Sequence, residues 1–162
     1  MIRSQVNYLS PRSIAILVGA LALVVGAGGV IGVNNLPDAW YMALAKPPLN
    51  PPNWVFGPVW FVLYLLIAAA GWRTAVRDGL SPRLALWGGQ MVLNWAWSPT
   101  WFTLHLPWAA LVIIYGVLAA IIAFIVLSWR SGDRISAWLF VPYALWVSFA
   151  SYLNLSIAIL NP

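Results

Sequence analysis

Apolar residues run along this chain in five blocks, separated by short turns that carry charge, proline or amides. The blocks cover 13–33, 54–72, 84–104, 108–129 and 135–160, and none contains Lys, Arg, Asp or Glu. A helix rises about 1.5 Å per residue, so about 20 apolar residues cross the roughly 30 Å hydrocarbon core of a bilayer. The pattern therefore predicts an all-α integral membrane protein, a bundle of five transmembrane helices forming one domain over 1–162. Short connectors after the second, third and fourth blocks place consecutive helices as antiparallel neighbours. The connector over 34–53 is longer, and it crowds Pro47, Pro48, Pro51 and Pro52 just ahead of the second block.

Composition agrees with that pattern. Of 162 residues, 63% are hydrophobic and 7% charged, with a mean hydropathy of +0.87, against roughly 25% charged in soluble domains. The net charge of +5 comes from cations scattered singly, with no basic stripe interleaved with aromatics, which argues against a nucleic-acid partner. Their placement is topogenic instead. Arg3, Arg12, Arg73, Arg77, Arg83, Arg130 and Arg134 fall on the N-terminal side and Lys46 alone on the other, seven against one. The positive-inside rule then places the N-terminus in the cytoplasm, with the C-terminus and the 34–53 loop on the opposite side; the inner membrane is the default for a helical chain. The first block follows Arg3 and Arg12 as a signal peptide would, but it runs about 20 residues without a cleavage box, so it is read as a retained span. Trp40, Tyr41, Trp54, Trp108 and Trp129 fall near block ends, where amphipathic rings suit the headgroup region.

The blocks differ in what their faces carry. The first holds Gly19, Ala22, Gly26, Gly28, Gly29 and Gly32, small residues that let another backbone approach. The third sets Ala85, Gly88, Val92 and Ala96 along one side, a strip suited to packing in the bundle or to a homodimer seam. Its other side carries Trp87, Gln90, Asn94, Trp97, Ser98 and Trp101. An unpaired amide in hydrocarbon is costly, so Gln90 and Asn94 are expected inside, either as interhelical glue worth about 0.6 kcal/mol per bond or as polar contacts in a ligand pocket. The fifth block repeats the pattern with Trp138, Pro142, Trp146, Phe149, Ala150 and Asn154, and the second offers Phe56, Trp60 and Tyr64 at i, i+4 and i+8. Aromatic walls with a few amides suit a flat apolar ligand; the same stripes also describe ordinary core. Pro58, Pro99 and Pro142 predict kinks that open space between helices.

Other chemistry is missing. With no cysteine there are no disulfides and no thiolate sites. Spans without acids or bases argue against ion-coupled transport. His105, the single histidine, lies between the third and fourth blocks and reads as an interfacial hydrogen-bonder rather than a haem ligand. Nothing resembles a nucleophile with a base, a metal cluster or a phosphate loop, so no metal or required cofactor is expected and conventional catalysis is not supported.

Three stretches, WYMALAKPPLNPPNWVFGPVWFVLY, GGQMVLNWAWSPTWF and WLFVPYALWVSFASYLN, together with twelve tryptophans, closely resemble the translocator protein or tryptophan-rich sensory protein (TspO) family. The resemblance spans residues 36–155. It implies a five-helix, often dimeric bundle that binds porphyrins, and in some members sterols and isoquinolines, with the proline-rich loop as a lid over the pocket. Proline reduces the freedom of the unfolded loop, which helps an irregular segment hold one shape. Carried over by motif, the binding residues would be Tyr41 and Pro51 from the lid, Trp60, Asn94 and Trp97, and Trp146 and Ala150; Gln90 joins them from the face analysis above. Leu49 stands where the family commonly has Trp, which removes one lid aromatic. No cation follows Arg134, so the family's sterol-associated motif late in the last span is absent.

The expectation is therefore a membrane tetrapyrrole-binding and sensory protein, with a protoporphyrin IX-like ligand, lipid and a second copy of the chain as partners. Passive carriage of tetrapyrroles or other small hydrophobic ligands is the alternative from another class. Some bacterial members of the resembling family degrade bound porphyrin in light, and Trp60 and Trp146 match the tryptophans implicated, making them the candidate catalytic residues.

Overall fold

The computed structural model describes residues 6–162, so Arg3 of the charge asymmetry lies outside the described residues. These residues form helices and connectors, with no strand among them. Helix α1 spans Pro11–Asn34, with a π segment at Ala22–Gly26. A short α2 follows at Ala39–Ala43, then α3 at Phe56–Asp78 behind a 3-10 turn at Asn53–Val55. Three more complete the chain: α4 at Pro82–Ser98, α5 at Pro107–Arg130 and α6 at Arg134–Leu160.

Local sequence explains where these helices start. Ser10 and Ser81 accept from the backbone N–H three residues on, at 3.2 Å each, and each is followed by proline at the first helical position. A side-chain acceptor satisfies one orphan donor, while proline there forgoes an N–H that would have had no partner. Pro58 sits in the first turn of α3 for the same reason and interrupts no interior ladder, unlike Pro142, which lies inside α6. Pro99 ends the regular ladder of α4. The chain continues as a π turn over Pro99–Thr103, closed by Leu104 N–H donating to the Pro99 carbonyl at 2.9 Å. Thr100 Oγ1 donates to the Ala96 carbonyl at 2.8 Å.

Among the described residues, four helices are long and apolar enough to cross a membrane: Pro11–Asn34, Asn53–Asp78, Pro107–Arg130 and Arg134–Leu160. The chain is a helical integral membrane protein. The block predicted at 84–104 falls on α4 and its π turn; α4 itself has 17 residues, short of the roughly 20 a straight span needs.

The long helices close into a ring in the order α1, α3, α6, α5, α4, each packing on the next and α4 returning to the second half of α1. Chain neighbours α3 and α4 meet through a few side chains, Trp87 Nε1 donating to the Ile67 carbonyl at 2.9 Å and Tyr64 OH to Asn94 Oδ1 at 3.3 Å, while α6 packs along another flank of α3. Ile67, Met91, Ile121, Phe124 and Phe140 fill the middle of the ring. At one end, Asp133 is buried at the N-cap of α6 and binds Arg73 at 2.9 Å and Arg83 at 3.3 Å; Arg83 also pairs with Asp78 at 2.7 Å. Burial alone would raise the Asp133 carboxyl, but the Ser136 hydroxyl and Arg73 outweigh it and hold its pKa below the usual range. This knot ties α3, α4 and α6 together.

Candidate functional site

At the opposite end the ring encloses a cavity of about 500 Å³, within the roughly 300–1,000 Å³ usual for small-molecule sites. Its α1 wall includes Gly28, Gly29 and Gly32, which bring backbone rather than side chains to the space between Val25 and Val33. A Cβ at Gly28 would overlap the Tyr64 ring, so glycine there lets Tyr64 lie against α1. Trp60 and Tyr64 project from α3, Asn94, Trp97 and Trp101 from α4 and its π turn, and Trp146 and Ala150 from α6. Tyr41 and Asn50 reach in from the 34–53 loop.

A chain of hydrogen bonds orders the polar part of this wall. Tyr64 OH donates to Asn94 Oδ1 at 3.3 Å, Asn94 Nδ2 donates to Tyr143 OH at 2.8 Å, and Tyr143 OH donates to Gln90 Oε1 at 2.9 Å. Both ends of the Asn94 amide are thus engaged, which sets its orientation at the cavity. Trp97 Nε1 donates to Asn154 Oδ1 at 3.2 Å, and Asn154 Nδ2 donates to the Pro107 carbonyl at 2.9 Å. Trp146 Nε1 is different, being buried with no partner.

The loop is tied down by its own polar groups. Lys46 Nζ donates to the carbonyls of Tyr41, Leu44 and Met42 at 2.7, 3.1 and 3.3 Å, closing the end of α2, and lies 4.7 Å from the Tyr41 ring centre. Asn161 exchanges two bonds with the Ala45 backbone, at 2.9 and 3.0 Å, and His105 Nε2 lies 3.0 Å from Asp38 Oδ2. The Tyr41 backbone N–H, followed by His105, lowers the Asp38 pKa, whereas burial raises that of the Tyr41 phenol.

Of the residues singled out from sequence, Tyr41, Trp60, Asn94, Trp97, Trp146 and Ala150 come together at this cavity. Pro51 and Gln90 do not line it. Pro51 lies beside it and accepts from Asn50 Nδ2 at 3.2 Å, while Gln90 is fully buried one turn below Asn94. Tyr41 is also 4% exposed and packs on Phe102, so it belongs to the interior rather than the interfacial belt. Trp138, expected on the inner stripe of the last block, is 62% exposed and sits edge-on to Trp129 at 6.2 Å. The inner face of α6 runs instead through Phe140, Tyr143, Val147, Ala150 and Asn154. Tyr143 is the residue the sequence reading overlooked, and the three- and four-residue spacing of that row was the signal for it.

The TspO/MBR family pattern matches residues 15–160. A tryptophan-rich protein TspO of Chlorobaculum tepidum is 36% identical over 160 residues, covering 93% of this chain and 96% of that protein. The CrtK protein of Rhodobacter capsulatus is 37% identical over 138 residues, 83% of this chain and 86% of its own. The sheep translocator protein is 34% identical over 143 residues, 82% of each.

Proposed function

The chain belongs to the TspO/MBR family, and from that premise we propose that its cavity binds a flat, largely apolar macrocycle of the tetrapyrrole class, such as protoporphyrin IX, in a sensory role. In this reading α4 with its π turn completes a set of five spans. The 34–53 loop acts as a lid on the side opposite the cytoplasm. The observation that carries the proposal is the pairing of aromatic walls, Trp60 and Trp146, with an amide held in one orientation at the cavity, that of Asn94. A tetrapyrrole offers π faces to the indoles and carboxylate or ring-nitrogen groups to the Asn94 amide. A second copy of the chain would meet the outward strip of Ala85, Val92 and Ala96 on α4.

Titrating purified protein with protoporphyrin IX should quench tryptophan fluorescence saturably. Each aromatic contact is worth about 0.5–1.5 kcal/mol beyond area burial, so Trp60→Ala and Trp146→Ala should each weaken binding several-fold, given about 1.4 kcal/mol per tenfold. Wild-type affinity in both folded variants would move the ligand elsewhere.

A further inference from the structure

We propose that Trp97, Trp101 and Trp40 form a one-electron relay leading from the cavity to the aqueous edge of the loop. The inference rests on the tetrapyrrole reading above, because it needs a bound chromophore.

The rings form a continuous series. Trp97 lines the cavity and stacks on Trp101 at 5.7 Å between centres with planes 10° apart. Trp101 meets Trp40 edge-on at 6.1 Å, and Trp40 stacks on His105 at 4.2 Å. These separations are direct ring contact. Trp101 is 2% exposed, Trp40 half-buried, and the His105 side chain 36% exposed, so the series runs from interior to water.

Among the other cavity indoles, Trp54 at the mouth is itself 76% exposed and stacks on no further ring, and the two interior ones lead nowhere comparable. Trp146 touches Phe56 and Phe149, whose phenyl rings are far harder to oxidise. Trp60 touches Tyr64 and Tyr143. A phenol gives up an electron readily only with its proton, and the hydrogen-bond chain beyond Tyr143 ends at the Gln90 amide, which is no base. The outer end of the relay carries a carboxylate. Asp38, its pKa lowered by the Tyr41 backbone N–H, carries a negative charge beside the His105 ring that stacks on Trp40. The Lys46 cation lies over Tyr41 and disfavours a hole on that neighbouring phenol.

The electron count is simple. A light-excited tetrapyrrole takes one electron from Trp97, becoming a radical anion and leaving an indole radical cation. The hole passes to Trp101 and then Trp40, where an aqueous one-electron donor such as ascorbate fills it. No bond forms or breaks; the donor is oxidised and the macrocycle reduced by one electron each.

The test compares the full-length wild type with Trp40→Phe, since Trp40 lies outside the cavity lining. Both would carry protoporphyrin IX without oxygen, under illumination with ascorbate, with macrocycle reduction followed by absorption. Trp40→Phe should bind porphyrin with unchanged affinity and reduce it about tenfold or more slowly; Trp129→Phe should match the wild type in both. In the wild type without ascorbate, frozen illuminated samples should show a tryptophanyl radical by electron paramagnetic resonance. Normal binding with an undiminished reduction rate in Trp40→Phe, or no indole radical in the loaded wild type, overturns the relay alone. Failure of the wild type to bind porphyrin overturns the tetrapyrrole reading, and the relay with it.

Discussion

Replacing Tyr143 by Phe removes one oxygen from the middle of the Tyr64–Asn94–Tyr143–Gln90 chain and leaves the ring in place. Tyr143 is 0% exposed, and its hydroxyl both accepts from Asn94 Nδ2 at 2.8 Å and donates to Gln90 Oε1 at 2.9 Å. Interhelical bonds in membranes average about 0.6 kcal/mol, so the two lost bonds alone predict about 1 kcal/mol. The larger effect is what they leave behind. Gln90 Nε2 already lacks a partner, so Tyr143→Phe strands the whole Gln90 amide and one Asn94 donor in the core, at about 1–3 kcal/mol for each orphaned group. A destabilisation of about 2–4 kcal/mol is expected, read from unfolding in mixed micelles. Tyr115→Phe is the control: that residue is 46% exposed and should change stability by less than about 0.5 kcal/mol. In Gln90→Leu the stranded amide disappears, so the double variant Gln90→Leu/Tyr143→Phe should be less destabilised than the sum of its parts. If Tyr143→Phe proves no more destabilising than Tyr115→Phe, the chain contributes nothing and Asn94 is not held by it.

Three further outcomes are expected. A Cβ at Gly71 would overlap the Trp87 indole, which is buried and donates to the Ile67 carbonyl at 2.9 Å; Gly71→Ala should therefore lower stability by about 1–3 kcal/mol, whereas the open Gly89 should tolerate alanine in the same unfolding assay. Cysteines at Leu49 and Leu80, 66% and 99% exposed, should react with an impermeant maleimide from opposite faces of sealed vesicles, and reaction of both from one face would defeat the proposed topology. The Asp133 carboxyl has a folded pKa below its unfolded value, so its stabilising contribution should be constant from pH 7 down to about 4 and decline only below that, as the carboxyl takes up a proton. Asp133→Asn should erase that acid dependence and lower stability by about 1–3 kcal/mol, because Arg73 loses its counter-charge while Arg83 keeps Asp78.

Composition and block length alone determined that the chain is a helical membrane protein, because a bilayer admits long apolar segments only as structures that satisfy their own backbone. Family membership was legible from three aromatic and proline-rich stretches. The inward setting of Gln90 and Asn94 was legible as well, since hydrocarbon penalises a free amide wherever the helix lies. Packing decided what periodicity could not. Trp138 and Trp146 both suit an apolar face, and a one-sequence reading cannot tell lipid from protein as the neighbour, since lipid tails are as apolar as a core. Only the ring order α1, α3, α6, α5, α4 turns Trp146 inward, leaves Trp138 outside and buries Tyr143 between α6 and the Gln90–Asn94 edge of α4. The same order makes the α1 glycines a wall of the cavity. It also brings Trp40, 61 residues from Trp101 in the chain, against that ring, a contact between distant segments that no local spacing encodes.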